Sequence, residues 1–152
     1  MKKNPKYRQG IYTLVHPEKY KGNKNQICWR SSWECKMMKF LDHNPNVVEW
    51  SSEETIIPYA NPLTGRVSRY FVDFYAKMKD KSGELKKYLI EVKPYKQTLE
   101  PKKGKKKSKT YINECATYTK NQSKWKFARE FCERNGMEFM IITEKELGLP
   151  SR

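Results

Sequence analysis

The sequence has no run of eighteen apolar residues, so no membrane-spanning helix is expected. The N-terminal Met1-Lys2-Lys3-Asn4-Pro5-Lys6-Tyr7 is basic, but no apolar segment follows it, so the expectation is an intracellular protein without a secretory signal. None of the four cysteines (Cys28, Cys35, Cys115, Cys132) forms a C-x2-C pair, and His16 and His43 lie far from them, which speaks against zinc. Reduced thiols acting as small core residues are expected instead. The two histidines are not placed for acid–base work. No internal repeat, RNP-like aromatic motif or KH-type GXXG loop is present, so structured RNA is a weak fit. Acidic residues are scarce. Asp and Glu number 17 against 32 Lys and Arg, a net charge of +15. A chain of 152 residues with that charge repels itself unless a polyanion neutralises it; nucleic acid is the first choice and an anionic membrane surface the second. Aromatic residues are plentiful at 13%, far more than a disordered chain carries, and the length suits one domain.

Hydrophobic spacing divides the chain. Residues 1–26 read as a basic N-terminal arm, with Ile11–Val15 as its one apolar patch. Ser31-Ser32 ahead of Glu34 reads as a helix cap, and Trp33, Met37, Phe40 and Leu41 share one face of a helix over 31–42. Short strands follow at 47–50 and 55–59, then a turn at 61–65. Residues 68–79 read as one long strand, 80–83 as a hairpin turn, and 88–93 as the return strand, ended by Pro94. Residues 94–110 form a loop with six lysines between Lys102 and Lys109. A helical stretch is expected over 111–134, either one helix or two broken near 121–123, capped by Asn135-Gly136. Its Trp125 and Phe131 are read as core residues. A short buried strand over 137–142 closes the body. The order predicts an α/β (α+β) domain over 27–152, a central mixed sheet flanked by helices.

Strand side chains alternate between faces, so Ile90 and Val92 point into the core while Leu89, Glu91 and Lys93 point the other way, toward a cleft. Asp73 is expected in mid-strand among Phe71, Val72, Phe74 and Tyr75, where an acid is costly unless paired or bound to a cation. Arg66 or Arg69 would serve as an ordinary partner. Two carboxylates on paired strands suit a hard divalent ion with oxygen ligands, and a lysine one pleat away suits charge stabilisation at a phosphate. A Glu-x-Lys tripeptide alone is usually a solvated strand face. Asp73 upstream, Glu34 on the preceding helix and the basic charge favour phosphodiester hydrolysis.

Glu34, Val72-Asp73 and Glu91-Val92-Lys93 together resemble the PD-(D/E)XK restriction-endonuclease-like superfamily: helix glutamate, strand aspartate, then Glu-x-Lys on the next strand. Val72 stands where the superfamily often has proline. Ser31-Ser32-Trp33-Glu34 and Lys124-Trp125-Lys126-x-Ala128 are similar to the TnsA-type branch. The Arg30-Ser31-Ser32-x-Glu34 opening and the lysine loop resemble most closely the small head-completion nucleases of large contractile-tailed phages. The resemblance implies a restriction-endonuclease-like fold and a catalytic set of Glu34, Asp73, Glu91 and Lys93. It implies metal ligation by Asp73, Glu91 and the Val92 carbonyl, with Glu34 as accessory ligand or orienter, and Lys93 beside the attacking water. The implied cofactor is Mg²⁺, with Mn²⁺ as substitute and no small-molecule cofactor.

The expected DNA contacts are Lys102, Lys103, Lys105, Lys106, Lys107, Lys109 and Lys124; a merely solubilising loop is the alternative. The expected partner is double-stranded DNA, with phage head or neck proteins besides. The expected location is the bacterial host cytoplasm, with association with the virion. Three functional classes compete: a phage endonuclease acting on packaged genome ends, the same chemistry in a transposon or restriction setting, and a non-enzymatic basic virion protein.

Overall fold

The structure is a computed structural model, and it describes residues 9–104 and 108–149. Helix α1 (Ser32–His43) is capped by Ser31, whose side chain accepts the Glu34 N–H. It packs beside a sheet of four strands, β3 (Val47–Ser52), β6 (Phe74–Lys79), β7 (Leu85–Val92) and β8 (Glu138–Ile142), adjacent in that order. β3, β6 and β7 pair antiparallel, while β8 lies parallel to β7. The parallel pair requires a crossover, and helix α2 (Lys109–Arg134) supplies it. Two smaller antiparallel pairs complete the body: β1 (Gly10–Ile11) with β2 (Cys28–Trp29), and β4 (Ile56–Asn61) with β5 (Arg66–Phe71). A short helix α3 (Glu144–Leu147) follows β8 behind a Thr143 capping box. This is the mixed sheet flanked by helices that the sequence predicts. Among the described residues no helix is long and apolar enough to cross a membrane.

Alternation along the strands builds two cores, one on each sheet face. Ile90, Phe74 and Ala76 join Trp50, Met38 and Leu41 beneath α1. Leu89 joins Trp125, Ala128 and Cys132 of α2, together with Ile57, Tyr59 and Tyr70 of the β4–β5 ribbon. The Leu89 face is therefore a second core that opens into a polar site only at Glu91. Burying an aromatic or large aliphatic side chain contributes about 1.5–3 kcal/mol, so these two layers dominate the packing energy.

Several expectations change. Residues 66–79 are two strands in two sheets, interrupted at Val72-Asp73. β3–β4 and β5–β6 form one long ribbon kinked at Glu53 and Asp73: the Glu53 N–H donates to the Asp73 carbonyl at 3.1 Å and the Val72 N–H to the Thr55 carbonyl at 3.0 Å. Of the two readings of 111–134, the single helix holds: α2 runs without a break through 121–123. Of the four free cysteines only Cys132 is buried; Cys28 is exposed on β2. In the segment expected as an arm, residues 1–8 lie outside the described residues, whereas Tyr12 and Tyr20 are core residues, packing edge-on to Trp50. His16 and His43 touch each other edge-to-face.

Candidate active site

Asp73 owes its position to the kink. The main chain leaves the ladder there, and the side chain takes the vacated place: Asp73 Oδ2 accepts the Val92 N–H at 2.8 Å. Glu91 lies next to it on β7 and is only 6% exposed. Its Oε2 accepts the Tyr70 hydroxyl at 2.5 Å, and its Oε1 lies 3.3 Å from the Lys93 ammonium. Strand alternation sets Glu91 and Lys93 on one face, as the sequence implied. The Lys93 N–H is anchored on the Ile142 carbonyl of β8.

Burial, followed by the negative charge of Glu91, holds the Asp73 carboxyl well above the ordinary aspartate range; Glu34 adds to this, while the Val92 N–H and Lys93 oppose it. Burial also raises Glu34, helped by Glu53 and Glu91 and opposed by the Arg30 N–H, which donates to Glu34 Oε2 at 3.1 Å. The site thus carries more negative charge than Lys93 neutralises. From α2, Lys124 stands over the rings of Tyr59 and Tyr70, 5.8 and 5.4 Å from their centroids. Burial and the neighbouring Lys120 lower its pKa, while Glu91 and Asp73 pull the other way.

The structure therefore gathers Asp73, Glu91, Lys93 and Lys124, with Glu34 close enough to sense both other acids. Among the described residues no three His, Cys, Asp or Glu side chains form a closed metal cage. A hard cation that keeps several waters needs none, and the donors present are all oxygen. Two carboxylates repelling each other in a partly buried site fit such an ion. Lys102, Lys103 and Lys109 are exposed around the loop and the start of α2, whereas Lys105, Lys106 and Lys107 lie outside the described residues.

Two contributors were not legible in the sequence. Tyr70, which reads there as an ordinary strand aromatic, holds one oxygen of Glu91. Glu53 ends β3 with a φ of 56°, the one non-glycine residue with positive φ among the described residues. A left-handed conformation costs about 1–3 kcal/mol and concentrates at functional sites. Glu53 also takes Arg30 in an ion pair at 2.7 Å, so the two elements carrying Glu34 and Asp73 are tied together through Arg30 and Glu53. Only the pairing of separate sheets brings these residues to the site, and no local pattern announces that pairing.

The TnsA-like endonuclease N-terminal family model matches residues 44–144, a stretch that holds Asp73, Glu91, Lys93 and Lys124 and begins after Glu34. The chain is also 39% identical over 142 residues to the Head completion nuclease of Enterobacteria phage T4, covering 91% of this chain and 92% of that protein.

Proposed function

From the premise that the chain belongs to the TnsA-like endonuclease family, we propose that it is a Mg²⁺-dependent nuclease of double-stranded DNA that acts as a phage head is completed, on packaged genome ends. The endonuclease class and the dependence on a divalent ion follow from the family. The head-completion role draws on the relative from phage T4. The observation that carries the chemistry is the convergence of two carboxyls, Asp73 on the Val92 N–H and the buried Glu91 one residue before Val92, with the Lys93 ammonium 3.3 Å from Glu91.

Asp73, Glu91 and the Val92 carbonyl would hold the ion, with Glu34 orienting the site from α1. When bound, a divalent ion polarises the phosphate and lowers the pKa of water. Tyr70 and the Val92 N–H each fix one oxygen of a carboxylate, so Asp73 Oδ1 and Glu91 Oε1, the latter beside Lys93, would be the oxygens to meet the ion. Lys93 stands one pleat beyond Glu91, where its charge stabilises the negative charge that builds on the phosphate during attack. Lys124 approaches from α2 and holds the DNA backbone against the site. Lys102, Lys103, Lys105, Lys106, Lys107 and Lys109 supply phosphate contacts farther along the duplex.

Closed circular and linear duplex DNA incubated with the protein and Mg²⁺ test this reading. EDTA-sensitive nicking or shortening, absent with Glu91→Ala, is the expected result. No cleavage, or equal cleavage by Glu91→Ala, would refute it.

A further inference from the structure

The sequence contains no base-reading motif, yet one feature beside the site matches a base rather than a phosphate. Residues 109–120, about 18 Å of α2, contribute no buried side chain; the first on the helix is Asn121. This half of the helix stands clear of the core and faces residues 96–102, and between them lies a cavity of about 640 Å³. That volume lies within the range of sites that take small organic molecules. Leu99, Thr117 and Tyr118 line it with largely apolar surface. Among the described residues Lys96 and Lys102 are balanced there by Glu100 and Glu114, so the lining they form has little net charge. Asn121 also lines it; the residue is 4% exposed, and its side-chain NH₂ finds no acceptor among the described residues. A buried amide donor left unpaired is costly, and a turn of the Asn121 side chain toward the cavity would let the polar edge of a ligand pair it.

The cavity adjoins the catalytic strand and helix. Asn121 lies one turn before Lys124, about 4.5 Å along the axis, and Lys96 lies three residues after Lys93. A nucleotide next to the scissile phosphate therefore reaches the cavity while its phosphates stay with the lysines. We infer that the cavity between residues 96–102 and the first half of α2 receives one unstacked nucleobase beside the cut, with Asn121 reading its edge and Tyr118 and Leu99 packing on its face. Extracting a base breaks stacking and pairing, and costs least where the base is already unpaired. The nuclease accordingly selects frayed ends and unpaired positions over continuous duplex. This inference rests on the proposed nuclease function and adds its substrate preference.

The test compares two substrates of one sequence, fully paired and with a single unpaired nucleotide beside the mapped cut. Wild-type protein should cleave the second at least tenfold faster at subsaturating DNA. Thr117→Trp, on the exposed rim, fills the cavity, and Asn121→Leu removes the polar group; each should bring the ratio within twofold of one. Both variants are checked for a cooperative melt and an unchanged Mn²⁺-induced melting shift, and Thr117→Trp decides if Asn121→Leu does not fold. 2-Aminopurine at the unpaired position, read with Lys93→Ala to keep the DNA uncut, should change in fluorescence on binding and lose that change when Thr117→Trp is added. A wild-type ratio near one, or a ratio or fluorescence change that survives Thr117→Trp, would overturn the inference, including the case in which a protein segment fills the cavity. Equal cleavage of both substrates refutes this inference alone, whereas cleavage of neither refutes the nuclease reading too.

Discussion

Asp42 and Asp73 are acids withdrawn from water in one small protein, and their surroundings are opposite. Asp42, fully buried at the end of α1, accepts the Tyr12 hydroxyl at 2.7 Å and the Val15 and His16 N–H groups at 2.8 and 3.0 Å. Burial pushes its pKa up, but those hydrogen bonds and the neighbouring His43 outweigh it, and the carboxyl lies below its ordinary range. It staples residues 12–16 to the body. Asp73 has one N–H, from Val92, and two acids for neighbours. A carboxylate saturated with donors stabilises the fold, while one facing other carboxylates is a cost that an arriving cation removes.

The largest way to sharpen this contrast is Lys93→Ala. The ammonium beside Glu91 is the site's own charge stabiliser, so single-turnover cleavage should fall by about 10²–10³, or about 2.7–4 kcal/mol. Mn²⁺ affinity should stay nearly intact, because lysine is no ligand. A rate within threefold of wild type would remove Lys93 from the mechanism.

Asp42→Ala should do the reverse, costing stability and sparing chemistry. It leaves three donors without their acceptor, a loss of about 3 kcal/mol. Denaturant melts read this directly, and cleavage per folded molecule should match wild type. A stability change below about 0.5 kcal/mol, the range of an ordinary surface substitution, would show that the staple is dispensable.

Tyr70→Phe tests the support of the other acid. It removes the hydroxyl from Glu91 without emptying the core, so Mn²⁺ affinity should drop about 10- to 100-fold, the usual effect of an outer-sphere partner. Calorimetric titration measures it, and unchanged affinity would show that Glu91 needs no such anchor.

A milder effect follows from pH. Because the folded Asp42 carboxyl lies below its unfolded value of about 3.9, its contribution is complete above that value and is lost as pH falls through the folded one. Asp42→Asn should therefore be less stable than wild type at neutral pH and lose less on acidification below about pH 4. Parallel acid limbs for the two proteins would contradict the assignment.

The elements were legible wherever they were periodic. The Ser31 cap, the hairpin at 80–83 and the Ile90/Val92 alternation follow from local chemistry, and they sufficed to place Glu34, Glu91 and Lys93; of the expected α1 stripe Trp33, Met37 and Leu41 are buried, whereas Phe40 is 46% exposed and Met38 enters the core instead. The break at Asp73 was not legible, because Tyr70 through Tyr75 reads as an unbroken strand; the interruption depends on Val92 and Glu53 partners that are distant in sequence. Tyr12 and Tyr20 looked like part of a polar, basic stretch, and only Asp42 and Trp50, a helix and a strand away, make them core. Ionic and hydrogen-bonded ties between separate elements leave no period in the chain.

Thermal melting of wild type and Asp73→Asn, with and without Mn²⁺, tests most directly the claim that Asp73 is an uncompensated acid in a cation site. Wild type should melt higher when Mn²⁺ is added. Asp73→Asn, freed of the repulsion with Glu91, should melt at or above metal-free wild type and gain little from Mn²⁺. A variant that melts well below wild type and still rises by the full Mn²⁺ shift would make Asp73 a structural acid like Asp42 and contradict the account.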